Sequence, residues 1–276
     1  MDFGAGKAIG SREGIADLPP CRDSFRKTDD HQRERTPAIT STSNEAPSAS
    51  EKGLVIVADG VGGFNVCGLA LARVAREAGL PLDVRVVRWG HGVGRWYADL
   101  SRTANHELQA ERVAKTIRLH REAHPRAPVF LVGKSGGCAV LVKALERLSG
   151  AEVERLILLA PALSPNYDLT RALINVVREA VVFWSPLDVL ILGVGTGLFG
   201  TSDRVRGWGA GLVGFRRPSS SAPPDRIEAY KKLRQVRWSP RMSSTGYLGG
   251  HLGTDSPFFL KKYVLPLLRV EPARET

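Results

Sequence analysis

Short apolar runs alternate with amphipathic helical patterns along most of this chain, and this alternation restricts its fold more than any other feature. A buried strand is predicted at 54–58, and apolar residues at helical spacing follow it until Gly79. Strands that alternate with helices form βαβ units. We therefore predict an α/β fold with a mostly parallel central sheet and helices on both faces. Further strands are predicted at 84–89, 129–132, 156–160, 180–184 and, more weakly, 233–238.

The N-terminal residues differ in composition from the rest of the chain. Residues 1–51 are rich in Ser, Thr, Pro, Asp and Arg and have almost no periodic apolar pattern, so they do not repay the entropy of ordering. We predict a disordered tail over 1–51, dispensable for activity, and one folded α/β domain over 52–272. No long apolar run marks a secretory signal in MDFGAGKAIG, so a cytoplasmic enzyme is expected.

The formal net charge of +11 raises the question of a nucleic-acid or anionic-membrane partner. The basic excess lies in the C-terminal part of the chain, where it forms short pairs such as Arg216-Arg217 and Lys231-Lys232. A nucleic-acid surface more often combines a basic stripe with interleaved aromatic residues. The pattern therefore predicts a solvated basic surface and no nucleic-acid partner.

The pentapeptide Gly133-Lys134-Ser135-Gly136-Gly137 follows the predicted strand at 129–132 and precedes a helical pattern. Glycines on both sides of a serine permit the strained strand-to-helix turn that presents a nucleophilic hydroxyl above a sheet. A Gly-x-Ser-x-Gly match alone is weak evidence, because a glycine-rich chain has an appreciable chance of containing it. The flanking strand and helix make Ser135 the predicted nucleophile.

A serine nucleophile needs a base, and the base needs an acid that orients it. Asp188 follows the strand at 180–184, and His251 lies in a glycine-rich loop after the last predicted strand. These residues have the chain order nucleophile, acid, base. Asp168, which follows the strand at 156–160, is an alternative acid, but its distance from that strand favours a solvated surface carboxylate.

An oxyanion formed during acyl transfer needs two backbone N–H donors. Gly136, directly after the predicted nucleophile, is one candidate, because it begins a helix. Val61, in the glycine-rich loop 59–64 after the first strand, is the other. An ordinary tight turn between strand and helix also uses glycines, and this remains the alternative for the loop.

The matched motifs together resemble a serine hydrolase of the α/β-hydrolase superfamily over about 54–268. They are the loop 60–63, the turn 133–137, the segment 185–188 and Gly250-His251. The resemblance implies ester cleavage by a Ser135–His251–Asp188 triad. The loop after the first strand begins Asp59-Gly60, where many lipases and esterases have His-Gly. The family's usual first two strands have no counterpart before Leu54, so a shortened sheet is expected.

Two other segments resemble cofactor motifs and fail on inspection. Gly133-Lys134-Ser135 resembles the end of a phosphate-binding P-loop, but that motif needs Gly at the position of Pro128. Segment 195–200 has the Gly-x-Gly-x-x-Gly spacing of a dinucleotide site, but basic residues stand about 20 positions further on, where that site has an acid. Cys21, Cys67 and Cys138 share no metal-ligand spacing. We expect no cofactor and no metal.

The sequence thus favours a serine hydrolase acting on a small, preferably lipophilic ester of short to medium acyl length. The apolar segment 189–199 is a candidate acyl pocket or lid, and 89–92 a candidate wall at the mouth of the site. A non-catalytic binding protein on the same fold remains an alternative. A membrane-associated protein using 180–200 is the third, although a mid-bilayer Asp188 would cost about 2.5–3.5 kcal/mol, so no integral span is expected.

Overall fold

The computed structural model describes residues 52–90, 92, 103–150, 152–189 and 201–269. The predicted tail at 1–51, His91 and the glycine motif at 195–200 lie outside the described residues, as does most of the apolar segment 189–199. The boundaries 1–51 and 52–272 therefore stay predictions.

The described residues contain one six-stranded sheet in the order β2-β1-β3-β4-β5-β6, and every neighbouring pair of strands is parallel. Parallel neighbours place all their carboxyl ends at one edge of the sheet, where ligands bind in α/β proteins. The predicted α/β class with a parallel central sheet is confirmed. The strands are β1 (Gly53–Ala58), β2 (Leu82–Val87), β3 (Val129–Lys134), β4 (Val153–Leu159), β5 (Val176–Trp184) and β6 (Leu233–Arg237).

Helices connect these strands, and short non-α segments complete the C-terminal part. The helices are α1 (Val66–Glu77), α2 (Thr103–Ala123), α3 (Gly137–Leu145), α4 (Thr170–Ile174), α5 (Ala210–Val213), α6 (Pro224–Lys231) and α7 (Pro257–Phe259). Segments Pro240–Thr245, His251–Asp255 and Leu265–Leu268 are 3₁₀ turns, and Leu260–Val264 is a π turn.

The sheet separates two apolar cores, because successive side chains of a strand point to opposite faces. Ile56 of β1 packs in the same cluster as Ile117 of α2, whereas Val57 belongs with Leu71 of α1 and Phe259 of α7. Strands β1 and β3 are buried along their whole length, as central strands covered on both sides should be. Helices therefore lie on both faces of the sheet, as predicted.

Some element boundaries differ from the predicted ones. Edge strand β2 ends at Val87, because Trp89 leaves the ladder and its indole N–H donates to the Asp59 carbonyl oxygen, 2.7 Å away. Helix α3 ends at Leu145, although apolar spacing continues to Leu148. Apolar periodicity reports burial as well as regular structure, and it therefore extends past the hydrogen-bonded ends.

The apolar segment 180–200 begins as a strand. Residues 180–184 belong to β5, which pairs with β4 and β6 inside the sheet. No helix in the part of the chain that the structure describes is long and apolar enough to cross a membrane.

Glu179 of β5 bridges two neighbouring strands. Its carboxylate pairs with Arg155 of β4 at 3.2 Å and with Arg234 of β6 at 2.8 Å. Burial alone would raise the pKa of Glu179, but the hydrogen bond from Arg234 and the charges of Arg234 and Arg155 outweigh it and hold the pKa below the usual 4.5. The paired carboxylate is thus more stable in the folded chain than in the unfolded one.

Replacing Glu179 with glutamine is expected to lower the free energy of unfolding at neutral pH by roughly 0.5–1 kcal/mol, since the ion pairs are partly solvated. A carboxyl with a lowered folded pKa stabilises above its unfolded pKa, and that contribution is lost as pH falls through the folded value. Urea unfolding of both proteins from pH 7 downward measures this. A difference that persists unchanged well below pH 4.5 would contradict it.

Candidate active site

Ser135 occupies a strained turn between β3 and α3. Its φ is 50°, a left-handed value that is uncommon for a residue with a Cβ. Its N–H donates to the Leu159 carbonyl oxygen at 2.9 Å, and its own carbonyl accepts from Ala162 at 3.2 Å. Backbone bonds to the end of β4 therefore hold the unusual conformation in place. The side chain lies at the carboxyl edge of the sheet and is 5% exposed.

Gly137 permits the turn to lie directly against the end of β1. A Cβ added to Gly137 would overlap the backbone carbonyl oxygens of Ala58 and Asp59. Backbone atoms cannot move aside as a flexible side chain does, so only glycine fits at this position. The second glycine after Ser135 thus brings the amino end of α3 against β1.

Replacing Gly137 with alanine is expected to destabilise the protein by about 3 kcal/mol, because overpacking against backbone forces a shift of β1 or α3. Thermal unfolding of the variant measures this loss. Gly250→Ala is the control, since Gly250 has a φ of −79° and open space around it. Equal stability of the Gly137 and Gly250 variants would show that the close approach has no energetic weight.

His251 and Asp188 are brought together from elements far apart in sequence. The His251 Nδ1 and Asp188 Oδ2 atoms lie 2.6 Å apart, and Asp188 is 3% exposed. Asp188 follows β5, and His251 begins a 3₁₀ turn. An ionised carboxylate only accepts, so Nδ1 donates and the lone pair remains on Nε2. This tautomer is the one that a general base requires.

Asp168, the alternative acid, lies elsewhere. Its carboxylate accepts hydrogen bonds from the N–H and hydroxyl of Thr170 and pairs with Arg226 at 3.7 Å. The side chain is about half exposed. The structure therefore brings Asp188, and not Asp168, to the imidazole of His251.

Ser135 and His251 line one cavity of about 440 Å³. The side chains of Val61, Phe64 and Leu252 form apolar parts of its wall. Among the described residues, no hydrogen bond joins the side chains of Ser135 and His251. Such bonds are often long or poorly aligned before substrate binds. The cavity size is within the usual range for small-molecule sites.

The loop after β1 passes beside Ser135. A Cβ added to Gly60 would lie 3.9 Å from the Ser135 hydroxyl oxygen, and one added to Gly136 would lie 2.9 Å from a methyl group of Val61. No described residue accepts a hydrogen bond from the N–H of Val61 or Gly136. Both predicted donors thus lie near the nucleophile with their N–H groups uncommitted to described partners.

Asp59 anchors this loop, at the position where many lipases and esterases have histidine. Its carboxylate accepts the N–H groups of Cys67 and Gly68 at 2.9 and 2.8 Å, so it caps the first turn of α1. Burial raises the pKa of Asp59, and these two hydrogen bonds oppose that rise. Asp59 therefore fixes the loop through two groups. Its carboxylate accepts N–H groups of α1, and its carbonyl oxygen accepts the indole N–H of Trp89.

Trp89 contacts the loop after β1 through its hydrogen bond to Asp59. It is buried, and a Cβ added to Gly136 would lie 3.2 Å from its ring. Trp89 is not among the residues that line the cavity, so the prediction that it forms the mouth is wrong. Its burial follows from the hydrogen bond to the Asp59 carbonyl oxygen, and no local sequence pattern predicts that bond.

Lys134 and Asp255 are site residues that the sequence analysis missed. The Lys134 ammonium lies 2.7 Å from an Asp255 carboxylate oxygen and 2.9 Å from the His251 carbonyl oxygen. Both side chains line the cavity. Lys134 belongs to the Gly133–Gly137 turn that the sequence identifies, but its partner is 121 residues away, and only the folded chain shows the pair.

The described cysteines offer no competing nucleophile. Cys67 on α1 and Cys138 on α3 are buried, as expected for small apolar residues on helices, and burial raises the pKa of both thiols. The thiolate is the reactive form, so neither is activated. No group of three or more His, Cys, Asp or Glu side chains suited to a metal occurs among the described residues.

Comparisons with solved structures give similar folds at low sequence identity. An esterase from Pyrococcus furiosus is 10% identical, with 79% of this chain and 83% of the esterase covered and a TM-score of 0.46. An α/β serine hydrolase without a lid from Xanthomonas campestris is 15% identical, with 82% and 88% covered and a TM-score of 0.46. A CIB-like hydrolase from Thermoplasma acidophilum is 13% identical, with 80% and 88% covered and a TM-score of 0.42.

No protein-family model matches the chain, and the comparison with curated proteins gave no match.

Proposed function

We propose that this chain is a serine hydrolase that cleaves a carboxylic ester through an acyl-enzyme at Ser135. The observation that carries the proposal is the 2.6 Å contact between Asp188 and His251 beside a cavity that Ser135 also lines. A buried acid that holds the imidazole in the accepting tautomer is what activates a serine hydroxyl. The strained backbone at Ser135 supports the same role.

In the first half-reaction, Nε2 of His251 takes the hydroxyl proton while Ser135 Oγ bonds to the ester carbonyl carbon. The carbonyl electron pair moves to oxygen, and the N–H groups of Val61 and Gly136 stabilise that oxyanion. The oxyanion then collapses, the bond from carbon to the leaving oxygen breaks, and His251 returns its proton to the departing alcohol.

In the second half-reaction, water replaces the alcohol. His251 takes a water proton as the hydroxide oxygen bonds to the acyl carbon, and the same N–H donors hold the second oxyanion. Collapse breaks the bond to Ser135, whose oxygen recovers the proton from His251. The acid product leaves, and both side chains return to their starting protonation states.

The apolar walls of the cavity support a lipophilic acyl or alcohol group. Phe64 is 63% exposed and Leu252 is 77% exposed, although both are large apolar side chains. Both line the cavity that contains Ser135, and Phe64 belongs to the loop after β1 while Leu252 follows His251 in the chain. Covering them with substrate would gain about 25 cal/mol for each Å² of apolar surface removed from water.

A panel of p-nitrophenyl esters, anilides and thioesters tests the reaction class. We expect hydrolysis of esters with short to medium acyl chains, with kcat/KM rising from acetate toward the chain length that fills the cavity. Phe64→Ser should raise KM for the longer esters more than for the acetate. Hydrolysis confined to anilides or thioesters would overturn the proposed ester specificity.

A non-catalytic binding protein on the same fold is the second candidate. It is favoured by one observation, that no hydrogen bond joins the Ser135 and His251 side chains among the described residues. A fluorophosphonate, which reacts preferentially with activated serines, separates the two functions. Folded wild-type protein that resists this reagent would support the binding protein.

A further inference from the structure

Lys134 is a buried cation placed next to the nucleophile. Its side chain is 4% exposed, and it ends β3 immediately before Ser135. A buried ammonium is costly unless its hydrogens are satisfied and its charge is paired. Here one N–H donates to Asp255 and another to the carbonyl oxygen of His251.

The two acceptors are the two ends of one short segment. His251 begins the 3₁₀ turn His251–Asp255, and Asp255 ends it. A single ammonium therefore joins the backbone at the start of this turn and the carboxylate at its end to the strand that leads into Ser135. The histidine ring is held separately, through Asp188.

A second carboxylate, that of Asp59, lines the same cavity as Lys134 and Asp255. Burial is the largest cause of the raised pKa of Asp59; the charge of Asp255 adds to that rise, and the charge of Lys134 opposes it. Asp59 is already committed to the N–H groups of α1. The Lys134 ammonium therefore donates its hydrogen bonds to Asp255 and to the His251 carbonyl oxygen.

We propose that Lys134 is a positioning residue whose ammonium holds the His251–Asp255 turn so that the imidazole faces Ser135. This proposal rests on the proposed function, since it assigns His251 as the base. Lys134 acts through His251 and transfers no proton itself. A loosened turn would leave the imidazole bonded to Asp188 but displaced from the hydroxyl.

The test uses three variants of the full chain. Lys134→Met combined with Asp255→Asn removes the tether without leaving a buried unpaired charge, and Lys134→Arg keeps a cation that donates. Lys143→Met is the matched control, because Lys143 is also a partly buried lysine in an ion pair, with Glu107, but does not line the cavity. The kcat of each protein is referred to the serine concentration titrated with a fluorophosphonate.

We expect the double variant to lose about a hundredfold in kcat with little change in KM, as a misplacement of about 1 Å costs. Lys134→Arg should recover part of that loss, and Lys143→Met should behave as wild type. Amide hydrogen exchange in 249–256 should be faster in the double variant and unchanged in Lys143→Met. A double variant with wild-type kcat, or a loss equalled by Lys143→Met, would overturn the positioning role.

Failure of the proposed function would look different. If wild-type protein hydrolyses no ester and takes up no fluorophosphonate, the hydrolase proposal fails. Hydrogen exchange alone then tests whether Lys134 holds the His251–Asp255 turn. Faster exchange in 249–256 of the double variant supports the restraint by Lys134, and unchanged exchange overturns it.

Discussion

Replacing Ser135 with alanine is expected to lower kcat for ester hydrolysis by about 10⁶-fold, as loss of the nucleophile does in a serine protease. In the proposed reaction the Ser135 hydroxyl forms the acyl-enzyme, and alanine has no group that could take its place. The fold should persist, because the backbone bonds of Ser135 to Leu159 and Ala162 do not involve the hydroxyl. Initial rates and thermal unfolding measure both effects.

Ser164→Ala is the matched control for this substitution. Ser164 is also a buried serine just beyond a strand end, and its hydroxyl accepts an N–H from Asn166 at 3.2 Å. It does not line the cavity with Ser135. Full activity in Ser135→Ala, or an equal loss in Ser164→Ala, would remove Ser135 from the reaction.

Replacing Asp188 with asparagine is expected to lower kcat by about 10⁴-fold, the loss seen when a triad acid becomes an amide. An amide can donate to Nδ1 and thereby select the tautomer that has no lone pair at Nε2. The loss should appear in kcat more than in KM, because Asp188 does not line the cavity. Steady-state kinetics measure it.

Asp168→Asn is the comparison variant, and it should retain nearly full activity. Asp168 contacts Thr170 and Arg226, so its loss removes only a partly solvated interaction. A large loss of kcat in Asp168→Asn together with an active Asp188→Asn would move the acid to Asp168.

The parts of the fold that follow from local patterns were predictable from sequence. Buried parallel strands need apolar side chains on both faces, and β1 and β3 appear as continuous apolar runs for that reason. The strained turn between β3 and α3 was also predictable, because such a turn needs glycines at fixed positions around Ser135. Parallel strands end at one edge, and Ser135 and Asp188 follow the strands β3 and β5, so both were expected at the same edge of the sheet.

The contacts that hold the site were not predictable in the same way. The Lys134–Asp255 pair, the cap that Asp59 provides for α1 and the Trp89 bond to the Asp59 carbonyl all join distant residues. Each depends on an exact approach of two backbones, and neither composition nor periodicity records it. Trp89 illustrates the consequence. It was expected at the mouth of the cavity, and instead it is buried and bonds to the loop after β1.

Reaction of the folded wild-type protein with a fluorophosphonate, followed by peptide mass spectrometry, tests the activated serine most directly. The phosphonyl group forms a stable bond with an activated serine oxygen and so identifies the nucleophile whatever the natural substrate. We expect one adduct, on the peptide that contains Ser135, and none in Ser135→Ala. Folded wild-type protein without an adduct, or with the adduct on another residue, would contradict Ser135 as the nucleophile.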